Sequence, residues 1–313
     1  MAIFILALHV SALGPYSKFV YPLYRCAVPY FFVVGGYFFF SKYNLCNNKK
    51  IVITNYIKRN IQLYIFWFLV SFPVCIQLRR YIFFDEHGVI YVLQKWLMSI
   101  LFGSTWMASW YIQATIIGTL FILFLSRIFK PRMVIILGLF CYFICCLSSN
   151  YLGMFSVDSL LYKLNSVTSI TGTFFASLLW IAIGKWFADG NTVVLKYHVK
   201  ITLLLVSFLC LVLENICTIY LNFQITSDAF FLLVPLVWLG TDIVIHYDNR
   251  NFVGNDQILR NFSTLTYCSQ CVLIPVVTAV FNVFFKMVSE KKLVDICFYF
   301  IYKHDNDSCN FLS

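Results

Sequence analysis

Charge is what this chain has least of. Asp, Glu, Lys and Arg together make 12% of its 313 residues, about half the share of a soluble domain. The chain is 61% hydrophobic, 19% aromatic and has a mean hydropathy of +0.82. Other absences narrow the function classes. There is no glycine-rich phosphate loop, no H-E-x-x-H and no G-x-S-x-G, so nothing points to a nucleotide-loop enzyme, a zinc protease or a serine hydrolase. No long linker, soluble domain or internal repeat is visible. The twelve cysteines form no disulfide framework, because Cys26, Cys75, Cys141, Cys145, Cys146, Cys210 and Cys217 fall inside apolar runs, where Cys is a small filler. Cys268 and Cys271 match C-x-x-C, but no second pair or His cluster accompanies them, and no metal site is expected.

What is present is apolar material in runs of membrane-spanning length. Residues 19–40, 61–78, 110–126, 133–148, 170–188, 201–221, 229–245 and 264–285 read as eight spans. Residues 1–13 read as a ninth that begins inside its own helix, and residues 293–302 as the start of a curtailed tenth. Residues 91–102, which include Lys95, suit an interfacial or re-entrant helix. The expected fold is one membrane-embedded domain over 1–313, an all-α polytopic bundle of about nine to ten helices whose first and last are truncated.

The net charge of +10 falls in particular connections. Lys42, Lys49, Lys50, Lys58 and Arg59 follow the second span. Arg127, Lys130 and Arg132 follow the fourth, and Lys185, Lys196 and Lys200 flank the turn after the sixth. The positive-inside rule makes these connections cytoplasmic and puts the N-terminus in the cytoplasm. Topology thus accounts for most of the basic surplus, and no nucleic-acid partner is required. Lys286, Lys291 and Lys292 break the pattern.

His9, Arg25 and Glu214 lie well inside spans, where a charge is expensive and functional by default. At 1.5 Å per helical residue, His9 lies about 6 Å, Arg25 about 9 Å and Glu214 about 10 Å below the outer surface. They fall in one layer. One reading pairs Arg25 with Glu214 as a structural fastener; the other makes the layer a reaction site with His9 as proton carrier. Asp242, close to His246 and Asp248, reads as an interfacial charge. On the cytoplasmic side, Lys58 and Arg59 could meet the phosphates of an anionic donor such as a coenzyme A nucleotide.

The run R-C-A-V-P-Y-F-F-V-V-G-G-Y from Arg25 to Tyr37, with His9 upstream, resembles the acyltransferase-3 family of bacterial integral-membrane O-acyltransferases. Further stretches follow in order: Tyr56-Ile57-Lys58-Arg59, Trp110-Tyr111, Ile183-Gly184-Lys185-Trp186 and the Ser263 to Tyr267 segment. Gly35, Gln62 and Gln270 depart from the commoner residues of that pattern. The resemblance implies catalytic roles for His9 and Arg25, with Glu214 in their layer, and donor binding by Arg59 and Lys58. It implies transfer of an acyl group, acetyl first, from cytosolic acetyl-CoA or another acyl-CoA to a hydroxyl of a cell-surface or lipid-linked glycan. The setting would be a bacterial inner membrane, with lipid as the surrounding partner and no permanently bound cofactor. A glycan-lipid transporter would use the same polar layer as a pathway without a catalytic base, and an inactive truncated relative would persist only as a membrane protein.

Overall fold

The computed structural model describes residues 4, 5, 7, 17–77, 97, 109–167, 169–247, 269, 273, 274, 276 and 277. The described residues are helical, without a strand. The readings for residues 1–13 other than 4, 5 and 7, and those for 91–102 other than 97, lie outside them. So do 293–302, the Ser263 to Tyr267 segment, Cys268, Cys271 and most of 264–285.

The first described span differs from the expected single helix. It is α1, Ser17–Arg25, followed by α2, Ala27–Leu45, with a break at Cys26. Pro29 explains the break: it has no N–H to offer the Arg25 carbonyl four residues back, and its ring crowds that carbonyl. The V-P step therefore places Arg25 at a helix end. Val20–Leu45 is nevertheless long and apolar enough to cross a membrane, as are Trp110–Ile128 and Tyr197–Tyr220.

Helix α3, Lys49–Gln77, begins twelve residues before the expected span. Its exposed stripe is polar at Thr54, Asn55, Lys58, Arg59 and Gln62 and apolar at Ile65, Phe66 and Leu69. The apolar part is where the sequence put it; the polar part continues the helix beyond. Helices α4 (Ser109–Ile128) and α5 (Pro131–Leu147) follow, the latter with proline at its first position, where its missing N–H costs nothing. A short helix α6, Leu160–Val167, occupies what read as a plain connection.

Helix α7, Phe175–Ala188, is shorter than the expected span of residues 170–188. A 3-10 turn, Ile170–Gly172, replaces its first part, and Thr173 Oγ1 donates to the Ile170 carbonyl at 2.6 Å. Helix α8 is Tyr197–Tyr220, and α9 is Leu233–Tyr247, starting four residues later than expected.

Helix α7 is central. Every residue from Ser177 to Gly184 is buried, as befits a helix enclosed on all sides. Small residues let its neighbours approach, the usual device between membrane helices. A Cβ on Gly36 of α2 would lie 3.0 Å from the Ile181 carbonyl oxygen, and one on Gly184 would lie 2.7 Å from the Tyr37 amide nitrogen and meet the Val33 carbonyl. The G-G-Y and I-G-K-W stretches are thus two halves of one helix crossing. Phe32 of the same P-Y-F-F run packs at a tilt against Tyr111, ring centres 4.7 Å apart, and Trp110, 6.0 Å apart. Tyr56 reaches Thr119 Oγ1 at 3.0 Å, fastening α3 to α4.

Candidate functional site

The bundle has two chemically distinct ends. At one, Asn44 Nδ2 donates to Asp189 Oδ1 at 3.0 Å, and Lys185 pairs with the same carboxylate. This joins the connections that carry Lys42, Lys49 and Lys50 to those that carry Lys196 and Lys200. At the other end, the segments after α5, before α7 and between α8 and α9 meet. The Gly153 amide donates to the Phe223 carbonyl at 2.9 Å, and Ser149 Oγ lies 2.8 Å from Thr226 Oγ1.

Local sequence builds this second end. Helix α8 stops at Leu221, and Asn222 takes the left-handed conformation, φ 55°. Asn222 N bonds to the Ile219 carbonyl at 3.1 Å and Phe223 N to the Thr218 carbonyl at 3.0 Å. That is the Schellman pattern, with asparagine where glycine is commonest. It turns residues 223–232 back over the bundle and brings Asp228 to Arg25.

Arg25 Nη2 and Asp228 Oδ1 lie 2.5 Å apart, with side chains 13% and 11% exposed. The same Nη2 donates to the hydroxyl of Tyr21, one helical turn earlier, and the guanidinium carbon sits 4.8 Å from the Tyr21 ring centre. Thr171 Oγ1 donates to Asp228 Oδ2 at 3.4 Å, and the Asp228 amide donates to Ser149 Oγ at 3.1 Å. Arg25 Nε is buried without a hydrogen-bond partner among the described residues.

Glu214 is engaged elsewhere, so the expected Arg25–Glu214 pairing is replaced by Arg25–Asp228. Its Oε1 accepts the Phe231 amide at 2.7 Å and the Tyr151 hydroxyl at 2.9 Å, and its Oε2 accepts the Leu232 amide at 3.0 Å. These amides stand just ahead of α9, where backbone N–H groups need acceptors and a carboxylate suits the helix dipole. They also explain why α9 starts late. Burial, then the Glu214 carboxylate, raises the Tyr151 phenol above its ordinary range, so Tyr151 serves as the donor of that bond. Glu214 and Arg25 both meet the connection ahead of α9, Glu214 at Phe231 and Leu232 and Arg25 at Asp228.

His9 lies outside the described residues. Nearby in sequence, Ile5 is buried in a cluster with Ala27, Trp67 and Ile112, and the Phe4 ring lies 5.9 Å from that of Tyr24. Phe4 and Ile5 therefore pack beside the break after Arg25.

Lys58 and Arg59 are exposed on α3, and neither forms an ion pair with a described residue. Tyr56 packs on Phe39 at 4.5 Å, which sets the register of α3 against α2. At 1.5 Å per residue, Arg59 and Arg25 are separated by about 15 Å along the bundle axis. Asp242, expected as an interfacial charge, is fully buried. It pairs with Lys200 and accepts the Val193 amide at 2.9 Å, which ties α8, α9 and the connection between α7 and α8 together. No His/Cys/Asp/Glu group capable of holding a metal occurs among the described residues.

Asp228 is the residue that sequence reading missed. It lies in a polar connection outside every apolar run, so the cost of an intramembrane charge could not reveal it.

Comparison with known proteins now bears on this arrangement. A family model described as an acyltransferase domain, that of the acyltransferase-3 family, matches residues 1–302. The chain belongs to the acyltransferase-3 family. As an acyltransferase-3 protein it is a membrane protein whose family chemistry is acyl transfer. It is also similar to a protein of Enterococcus faecalis named amino-acid racemase, with 26% identity over 265 residues, covering 81% of this chain. The match covers 35% of that relative's length. No solved structure matches the chain.

Proposed function

We propose that this acyltransferase-3 protein moves an acyl group, acetyl in the first instance, from cytosolic acyl-CoA to a hydroxyl of a cell-surface or lipid-linked glycan. The observation that carries the reading is Arg25: a buried cation at a helix break, held at one nitrogen and with a donor to spare. A fixed cation in a water-poor layer stabilises charge developing on oxygen far better than it could in water. The family membership supplies the reaction class.

In this reading His9 takes the proton of the acceptor hydroxyl and hands it to the leaving thiolate, a task suited to an imidazole near neutral pH. Lys58 and Arg59 meet the phosphates of the donor, and an extended pantetheine arm covers the distance from there towards Arg25. Glu214, with both oxygens occupied, holds the residues just ahead of α9 and so the connection that bears Asp228. The basic end faces the cytoplasm of a bacterial inner membrane, the N-terminus lies on that side, and the complete bundle has nine to ten crossing helices. The racemase name belongs to a much longer relative, and the portion matched here supports acyl transfer more directly than racemisation.

The test is acetyl transfer from labelled acetyl-CoA to envelope glycan by membranes containing the full chain. His9→Ala is expected to abolish transfer while the protein still folds. Retained transfer would remove the proton-carrier role, and glycan-lipid movement without transfer would favour a transporter. Arg59→Ala is expected to weaken acetyl-CoA binding, and unchanged affinity would remove its role as a phosphate partner.

A further inference from the structure

We propose that Asp228 is a positioning residue for this reaction: with Tyr21 it clamps the Arg25 guanidinium through Nη2, leaving Nε–H to donate to the carbonyl oxygen of the acyl group in transit. The inference rests on the acyl-transfer reading and assigns a function to a residue outside the membrane-spanning segments.

Three connections hold Asp228 in place. Its backbone amide is fixed by Ser149 Oγ at 3.1 Å, and its Oδ2 by Thr171 at 3.4 Å. Ser149 Oγ in turn donates to the Thr226 carbonyl at 3.1 Å. The carboxylate is thus set by backbone and hydroxyl anchors before it meets Arg25. The cation is set equally firmly, because Pro29 ends α1 at that residue and Tyr21 lies one turn behind it.

The pattern of use on the guanidinium is the informative part. Arginine commonly meets a carboxylate with two parallel N–H bonds, which uses the fork and satisfies the pair. Here the carboxylate and the phenol share one nitrogen, and a buried Nε is left without a partner among the described residues. A buried donor left over beside a fixed charge fits a ligand oxygen better than a fastener. The other buried pair, Lys200–Asp242, shows a fastener's arrangement, with its carboxylate shared among Lys200, the Val193 amide and His246.

In the reaction, the acceptor hydroxyl oxygen bonds to the thioester carbonyl carbon, and the C=O pair moves onto oxygen. That oxygen accepts from Arg25 Nε–H. The pair then returns, the C–S bond breaks, and the thiolate leaves with the proton the hydroxyl gave up. The products are an ester and the coenzyme A thiol. Asp228 touches neither reactant; it keeps the guanidinium from swinging and offsets its charge.

The experiment uses the full chain in lipid nanodiscs, with acetyl-CoA as the probe. Asp228→Asn is expected to lower kcat for transfer about 100-fold, the scale for losing one aimed donor, with KM for acetyl-CoA changed by less than about twofold. Asp228→Glu should recover part of the rate. The double variant Arg25→Gln/Asp228→Asn should be no slower than Arg25→Gln alone, because both changes remove one device. A multiplicative double variant, or a D228N rate that falls only with the folded fraction, would overturn the proposal. A second measurement does not need turnover: the ¹⁵N signal of the Arg25 Nε–H, identified by its loss in Arg25→Lys, should shift when acetyl-CoA is added to wild type and stay still in D228N. That shift without glycan acetylation would keep the positioning role and sink the proposed acceptor. An unmoved signal in wild type would overturn the positioning role itself.

Discussion

The two ends of the bundle each bury an ion pair, and the pairs are built on opposite principles. Lys200–Asp242 leaves the carboxylate fully hidden, with the Val193 amide on Oδ1 and lysine on Oδ2. Arg25–Asp228 leaves both side chains slightly open and one buried nitrogen without a partner among the described residues. A saturated pair can only hold helices together, whereas an unsaturated one has capacity for a ligand. The chemistry matches the difference. Lysine is a compact charge suited to one carboxylate, while arginine spreads donors around a plane and can serve two masters. On the proposed function, the contrast fits fastening at the basic end and reaction at the other.

Crossed substitutions would break that contrast most sharply. Arg25→Gln is expected to lower acyl transfer by about 10²- to 10³-fold, measured as acetyl-CoA consumption per folded protein, while the chain still accumulates in membranes. Asp242→Ala should do the reverse. It strands a buried lysine charge at a cost of about 3–5 kcal/mol, read as loss of folded protein in denaturant, with transfer per surviving molecule near normal. Pairing Asp242→Leu with Lys200→Met should restore most of that stability, since an apolar replacement of a whole buried pair is often neutral. If the double replacement restored stability but abolished transfer, the basic end would be more than a fastener.

How much of this was legible in sequence depends on which cost each residue carries. Arg25 stood out because an arginine in an apolar run is expensive wherever it points. Glu214 stood out for the same reason, and both residues meet the connection ahead of α9. Their pairing was not legible. Asp228 lies in a connection where a polar residue costs nothing, Thr171 is an uncharged hydroxyl in a run read as a span, and the Asn222 turn brings Asp228 inwards. The apolar extents of the described spans were readable, and the ends of α4 and α5 fall within two residues of expectation, but other helix ends were not legible. Pro29 splits one helix, Glu214 delays another, and the polar start of α3 continues as helix without any apolar signal. The glycine motifs matched the family pattern, but their reason is visible only in the crossing of α2 and α7.

That crossing separates the two ends and offers a way to sharpen the comparison. A methyl group on Gly184 would meet backbone on α2, which cannot yield as a flexible side chain does. Gly184→Ala is expected to cost about 1–3 kcal/mol, the usual scale of overpacking, and to weaken both ends together in a thermal melt. Gly35→Ala is the control, because nothing lies within 4 Å of the added carbon. It should leave the melt unchanged or raise it slightly, as alanine favours helix over glycine. Equal damage from both variants would mean that the crossing at Gly184 is not a close backbone contact.

The smallest expected effect tests whether the Asp242 carboxylate is truly saturated. His246 Nδ1 lies 3.4 Å from Asp242 Oδ1 and 2.8 Å from the Asp242 carbonyl, and its side chain is 39% exposed. Asp242 already has lysine and a backbone amide, so histidine adds a third, solvent-screened partner. Pairs of that kind contribute about 0–1 kcal/mol. His246→Ala should therefore shift the denaturation midpoint far less than Asp242→Ala and leave acyl transfer at its wild-type rate. A loss approaching that of Asp242→Ala would show that the carboxylate depends on its exposed partner. The two ends would then differ in degree of satisfaction, and the assignment of fastening to one and reaction to the other would lose its physical basis.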